Sequence, residues 1–265
     1  MYEFSYQRPG SLAEAIAAVK SADDGQVLAG GQTLLPTLKQ RLAMPSDLID
    51  LAGIGELKGV SVDGGNVVIG AMTRHADVAA SAEIRAKIPA LAALADDIGD
   101  RQVRNRGTLG GSVANNDPAA DYPAACLALG ATITTSERKL AAEDFFTGLF
   151  ETALGDGEIV TSVSFPVPDK AAYMKFKNPA SRYAIVGVFV AKTGSDVKVA
   201  VTGAGSGGVF RVPDMESALA ANFSAGALKD IEVSADGLNS DIHAAADYRA
   251  HLIGVMARRA VEACG

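Results

Sequence analysis

Val27-Leu28-Ala29-Gly30-Gly31-Gln32-Thr33-Leu34-Leu35-Pro36 sets a short apolar run, a glycine pair and a leucine-rich segment end to end. Residues 26–29 have strand character, while Leu34, Leu35, Leu38 and Leu42 recur at helical spacing, so the stretch reads strand, glycine turn, helix. Pro36 has no backbone donor and fits that helix only in its first turn, which places the start near Gln32 or Thr33. A helix start behind two glycines leaves N–H groups unpaired, and with no Cβ atoms in the way an anion can reach them. Taken alone, the commoner reading of such a pair is a tight turn.

A second glycine stretch changes the weighing. Thr108-Leu109-Gly110-Gly111-Ser112-Val113-Ala114-Asn115-Asn116-Asp117-Pro118-Ala119-Ala120-Asp121-Tyr122-Pro123 has neither helical nor strand periodicity and reads as a long ordered loop. Thr108 to Ser112 offer backbone donors and hydroxyls, and Asp121 is placed to accept hydrogen bonds from a sugar hydroxyl, as acidic residues do in nucleotide sites. Two such loops point to a pyrophosphate held between them.

Working outward, Ser11 followed by Glu14 forms a capping box ahead of a short amphipathic helix to Lys20. Leu48 to Ala71 read as short strands, with a β-hairpin turning at Asp63-Gly64-Gly65-Asn66. Thr73 to Ala95 look helical with an interruption at Pro89, and lead into a polar stretch, 96–106. After an apolar helix over 124–129, alternating stretches at 131–135, 158–166, 173–177, 184–192 and 197–201 suggest an antiparallel sheet, and the chain closes on a helix over 244–263. Pro166-Val167-Pro168-Asp169 is the best domain boundary, separating 1–168 from 169–265.

Composition narrows the function. The chain has 265 residues, 48% hydrophobic and 21% charged, which fits a folded globular protein with a substantial core. Its net charge of −7 opposes capture of a nucleic-acid backbone. Cys126 and Cys264 form no C-x-x-C pair, so the sequence offers no zinc or iron–sulfur cradle and no metal ligands. With no signal-peptide pattern and no transmembrane run, a soluble cytoplasmic protein is expected.

Other motifs carry bland readings. Gly203-Ala204-Gly205-Ser206-Gly207-Gly208 matches G-x-G-x-x-G, but extended chain follows it and too few residues remain for a Rossmann half, so a glycine turn between antiparallel strands is the better reading. His75, His243 and His251 lack metal-ligand spacing. Asp96, Asp97 and Asp100 with Arg101, Arg104 and Arg106 suit a solvated loop or subunit contact better than a pyrophosphate clamp.

The two glycine stretches together with Arg104-Asn105-Arg106-Gly107, the opening Phe4-Ser5-Tyr6-Gln7-Arg8-Pro9 and the later Phe176-Lys177-Asn178-Pro179-Ala180-Ser181-Arg182-Tyr183 resemble the FAD-binding medium subunit of molybdenum hydroxylases, the carbon monoxide dehydrogenase and xanthine dehydrogenase group. The resemblance extends over nearly the whole chain. It implies an α+β architecture: a two-lobed FAD-binding fold of the vanillyl-alcohol oxidase / p-cresol methylhydroxylase type, with lobes of about 1–53 and 54–168. A C-terminal α/β domain with an antiparallel sheet would cover the flavin and contact partner subunits.

Carried over by motif, Val27, Leu28, Ala29, Gly30, Gly31, Gln32, Thr33 and Leu34 face Thr108, Gly110, Gly111 and Ser112 across the FAD diphosphate and ribityl chain. Asn115 and Asp117 belong to the second segment, and Asp121 holds a sugar group. Ile98, Ile159 or Val160, and Lys177 match apolar and basic neighbours of the flavin, and Tyr183, adjacent to the Lys177 segment, divides evenly between flanking the flavin ring and a core role. The implied function is electron transfer without a catalytic residue on this chain: electrons leave two-iron two-sulfur clusters on a small subunit, fed by molybdopterin on a large one, and exit through FAD to an external acceptor. A dimer of heterotrimers is implied. A self-sufficient flavin oxidoreductase of the same fold is the alternative, disfavoured by the little room left for a substrate cavity, and a nucleotide-binding module without redox function is a third reading.

Overall fold

The computed structural model describes residues 1–265 and shows an α+β protein with three main sheets. The first is small and parallel. Strand β1 (Ser5–Gln7), helix α1 (Leu12–Ser21), β2 (Gly25–Leu28), α2 (Leu34–Lys39) and β3 (Asp47–Asp50) alternate, so each helix is a crossover and the strand order is β1-β3-β2. Ser11 caps α1 by accepting from the Glu14 N–H, but Glu14 Oε2 accepts from the Gly10 N–H at 2.8 Å, so the expected reciprocal box is displaced by one residue.

The second sheet is antiparallel, ordered β4-β5-β10-β6-β7. Its hairpin is β4 (Val60–Asp63) and β5 (Asn66–Gly70); the strand at 47–50, read from sequence together with that hairpin, belongs instead to the parallel sheet. The chain then builds a helical layer from α3 (His75–Ala80), α4 (Ala82–Lys87), α5 (Pro89–Asp96), α6 (Arg101–Arg104), α7 (Leu109–Asn115) and α8 (Tyr122–Leu129), with Pro89 opening α5. Strands β6 (Thr132–Thr135) and β7 (Lys139–Ala141), helix α9 (Ala142–Phe145), the two-stranded pair β8 (Phe146–Gly148) and β9 (Glu151–Thr152), and β10 (Val160–Pro166) complete it.

Helix α7 corrects the reading of 108–123 as loop. Glycines at 110 and 111 disfavour a helix locally, yet the Thr108 hydroxyl caps the Gly111 N–H, and a Cβ on Gly110 would lie 2.4 Å from the Ala71 Cβ. The glycines serve close packing against β5's end, and tertiary contact overrides propensity.

Beyond Pro166 the chain enters the third sheet: β11 (Lys170–Lys177), β12 (Ala184–Thr193), β13 (Asp196–Thr202) and β14 (Phe210–Arg211), all antiparallel, followed by α10 (Pro213–Ala221) and α11 (Ala246–Ala263). The stretches read as one antiparallel sheet therefore divide: 160–166 pairs with the hairpin on one side and with 132–135 on the other, while 170–202 form this separate sheet. Strand β12 is covered on both faces. Val186, Val188 and Val190 pack with Met215, Ile253 and Met256 under α10 and α11, while Phe189 and Ala191 join the central core of Leu91, Leu109, Tyr122 and Phe165. The turn 203–208 links antiparallel β13 and β14, as a glycine turn and not a Rossmann loop.

Candidate FAD-binding cleft

The loop between β2 and α2 follows from its residues. Thr33 is the N-cap position and Pro36 lies in the first turn of α2, so the helix starts where Pro36 required. Gly31 has φ +70°, the left-handed conformation that favours glycine. None of the backbone N–H groups from Ala29 through Leu34 donates to a protein acceptor. Six consecutive unpaired donors on one short segment are the kind of backbone arrangement that can receive an anion, and Ala29 and Gly30 among them line the cleft described below.

The second segment meets this loop backbone to backbone. An added Cβ on Gly30 would lie 2.2 Å from the Arg106 carbonyl oxygen and 2.6 Å from Gly107 Cα. One on Gly111 would stand 3.1 Å from the Ala29 Cβ and 4.0 Å from the Gly30 nitrogen. Glycine at these positions therefore lets the two loops touch. The Thr108 N–H is unpaired, and its hydroxyl oxygen accepts from Gly111 while its proton remains free to donate.

Where the loops meet, a cleft of about 450 Å³ opens, lined by Ala29, Gly30, Thr108, Met72, Thr73 and Ala52 and by the cations Lys58, Arg74 and Arg106. Arg74 is held bidentate by Asp77 at 2.7 and 2.9 Å, and Lys58 donates to the Ala52 carbonyl, whereas the Arg106 guanidinium has no acceptor within the chain. Arg104, by contrast, turns inward to the carbonyls of Ile98 and Gly99 and tethers the approach to the second loop. Of the charged stretch 96–106, Arg106 faces the cleft.

Behind the loop lies His75, 5% exposed, whose ring sits 5.4 Å from that of Tyr122. Burial, reinforced by the Arg104 charge, lowers its pKa to about 4, so it is neutral at physiological pH. Gly107 leaves room for this ring: a Cβ there would lie 2.5 Å from Nε2. His75 Nδ1 and the Tyr122 hydroxyl are both buried without a partner.

The remaining residues named from sequence distribute as follows. Val27 and Leu28 end β2, and Leu34 opens α2. Ser112 and Asn115 lie on α7, half-buried, and Asp117 turns back to accept from the Ala119 N–H. Asp121 is buried at the start of α8, where Oδ1 accepts from Lys175 Nζ at 2.9 Å and from the Tyr173 hydroxyl, while Oδ2 has no partner in the chain. Burial pushes its carboxyl pKa up, opposed by Lys175 and by the Tyr173 hydroxyl.

Lys177 ends β11, half-exposed, and pairs with Asp97, next to Ile98. Ile159 and Val160 are 3% and 5% exposed and enclosed, the first with Ile49, Ile54 and Met72, the second in the central core; neither lines the cleft. The Tyr183 hydroxyl accepts from Asn178, and its ring stands edge-on to His243. Sequence reasoning missed Lys58, Arg74, Lys175 and Tyr173; for the last two a signal was present, in the alternation Tyr173, Lys175, Lys177 along one strand.

Similarity to known proteins identifies the family. Residues 2–168 match the family described as FAD binding domain in molybdopterin dehydrogenase. The chain belongs to this family. It is 38% identical to the carbon monoxide dehydrogenase medium chain of Afipia carboxidovorans, over 98% of this chain and 96% of that one. The glyceraldehyde dehydrogenase medium chain of Sulfolobus acidocaldarius is 37% identical, over 93% and 91% of the two chains. Among solved structures, the cyanide-inactivated form of the Cu,Mo-CO dehydrogenase superposes with a TM-score of 0.88 at 34% identity, covering 100% of this chain and 98% of that one. As a family member the chain is the FAD-binding subunit of an oxidoreductase, and the expected α+β fold is the one observed.

Proposed function

We propose that the chain binds FAD across the cleft, with the diphosphate held between the N–H groups of residues 29–34 and the Thr108 to Ser112 segment, and that it serves as the exit point for electrons in a molybdenum hydroxylase complex. The observation that carries this is the row of unpaired N–H donors pressed against a second glycine loop. Bound FAD supplies the one- and two-electron chemistry that joins a cluster to a two-electron acceptor. The chain's residues bind and orient it. Backbone N–H groups and the Thr108 hydroxyl take the phosphate oxygens, the unpaired Arg106 offsets their charge, and Asp121 Oδ2 is free for a sugar hydroxyl. Lys177, released from or shared with Asp97, places a positive charge at the flavin end.

In this reading residues 1–168 form the FAD-binding domain, and 169–265 cover the flavin and face partner subunits. The partners are a molybdopterin-binding large subunit and an iron–sulfur small subunit, assembled as a dimer of heterotrimers in the cytoplasm. No helix is long and apolar enough to cross a membrane. The relatives matched end to end are medium chains, which favours an assembly subunit over a self-sufficient oxidoreductase. The test is purification of the chain with FAD and with its neighbouring gene products. A flavin spectrum, release of FAD and not FMN on denaturation, and co-purifying iron and molybdenum are expected. A colourless protein after saturation with FAD would refute the proposal.

A further inference from the structure

Strand β11 presents Tyr173, Lys175 and Lys177 on one face, and that face meets the FAD-binding domain at two aspartates. The Lys175 side chain is 1% exposed and donates to Asp121 Oδ1 at 2.9 Å and to the Asp97 carbonyl at 2.8 Å. Tyr173 donates to the same Asp121 oxygen, and its hydroxyl reaches there because residue 187 on β12 is glycine: a Cβ would lie 2.3 Å from Tyr173 Oη. Asp97 and Asp121 bracket the segment that contains the second loop. The same sheet grips that segment again, through the Thr202 hydroxyl to the Pro118 and Ala120 carbonyls and the Gly203 N–H to Pro118.

We infer that Lys175, assisted by Tyr173, is a positioning residue of the FAD site: it clamps both ends of the second-loop segment and orients the Asp121 carboxylate so that its unpaired oxygen is offered to the cofactor. The inference rests on the reading of the cleft as the FAD site. The clamp belongs to the C-terminal sheet, outside the residues that match the family's FAD-binding domain. A lysine buried with both heads of its grip satisfied is costly to break from one side, because the Asp121 charge is then left in apolar surroundings.

The test is a double-mutant cycle on the full-length chain, with FAD affinity read by quenching of flavin fluorescence and folding read by thermal melting. Lys175→Met is expected to weaken FAD binding about tenfold in the wild-type background, the size of a lost hydrogen bond to a charged group, and less than twofold in the Asp121→Ala background. Tyr173→Phe is expected to follow the same pattern with a smaller loss, and it decides the matter if Lys175→Met does not fold. Equal weakening in both backgrounds would mean a general loosening of the domain and would overturn the inference. So would unchanged affinity in a folded Lys175→Met chain. If Asp121→Ala alone binds FAD like wild type, the positioning role fails while the glycine-loop site stands. If the wild-type chain takes up no FAD, the site assignment itself fails first.

Discussion

Replacing Gly30 by alanine probes the contact on which the cleft depends. The new Cβ would lie 2.2 Å from the Arg106 carbonyl oxygen, so the loops must part by roughly 1 Å to reach an ordinary contact. Overpacking of this kind costs about 1–3 kcal/mol. The same displacement would lengthen any N–H···phosphate hydrogen bond made by these loops from an ordinary length of roughly 2.9 Å beyond useful reach, and each charge-assisted bond lost is worth about 1.5–3 kcal/mol. Gly30→Ala should therefore weaken FAD binding by about ten- to hundredfold. Fluorescence titration of the apo-chain with FAD measures this, and Gly55→Ala is the control, since no atom lies within 4 Å of a Cβ there and its φ is not positive. Wild-type affinity in Gly30→Ala would mean that the two loops do not jointly hold the diphosphate.

Other outcomes follow from the same geometry. Gly111→Val should also weaken FAD binding, because its branched side chain must enter the space bounded by Ala29 and the Thr108 hydroxyl; equal affinity in titration would refute it. Lys177→Ala should lower the potential of bound FAD if Lys177 lies beside it as proposed, because a positive charge that favours the reduced anion would be lost, and spectroelectrochemical titration reads the shift; an unchanged potential would remove Lys177 from the flavin's surroundings. His75 is depressed from 6.5 to about 4 in the fold, so between those values the unfolded chain binds the extra proton and stability falls as pH falls, by up to about 3 kcal/mol. His75→Phe should flatten that limb of the stability–pH curve. Glu158 is held down to about 2, chiefly by the Arg138 guanidinium, so its contribution is present above the ordinary carboxylate range and is lost as pH drops toward 2; Glu158→Gln should abolish that loss in acid melts.

Local order was written in the chain wherever neighbours in sequence decide it. Pro36 and the leucines set the start of α2, Ser11 capped α1, and the glycine pair after β2 announced a segment rich in free N–H groups. These depend on backbone chemistry within a few residues, so reading them required no knowledge of the fold. The cleft's cations were less visible: Arg106 stood in a stretch that suits a solvated loop, and only its distance from any acceptor distinguishes it from Arg104.

Tertiary structure alone decided three things. It made 109–115 a helix despite the low helix propensity of its glycines, packed so closely against Ala71 that only glycine fits at 110. It divided the predicted antiparallel sheet in two, since alternation tells which face of a strand is apolar but not which partner covers it. It also gave Asp121 to Lys175 and Tyr173, a pairing between distant segments that no local pattern encodes, because a buried charge is satisfied by whatever the fold brings within hydrogen-bonding reach.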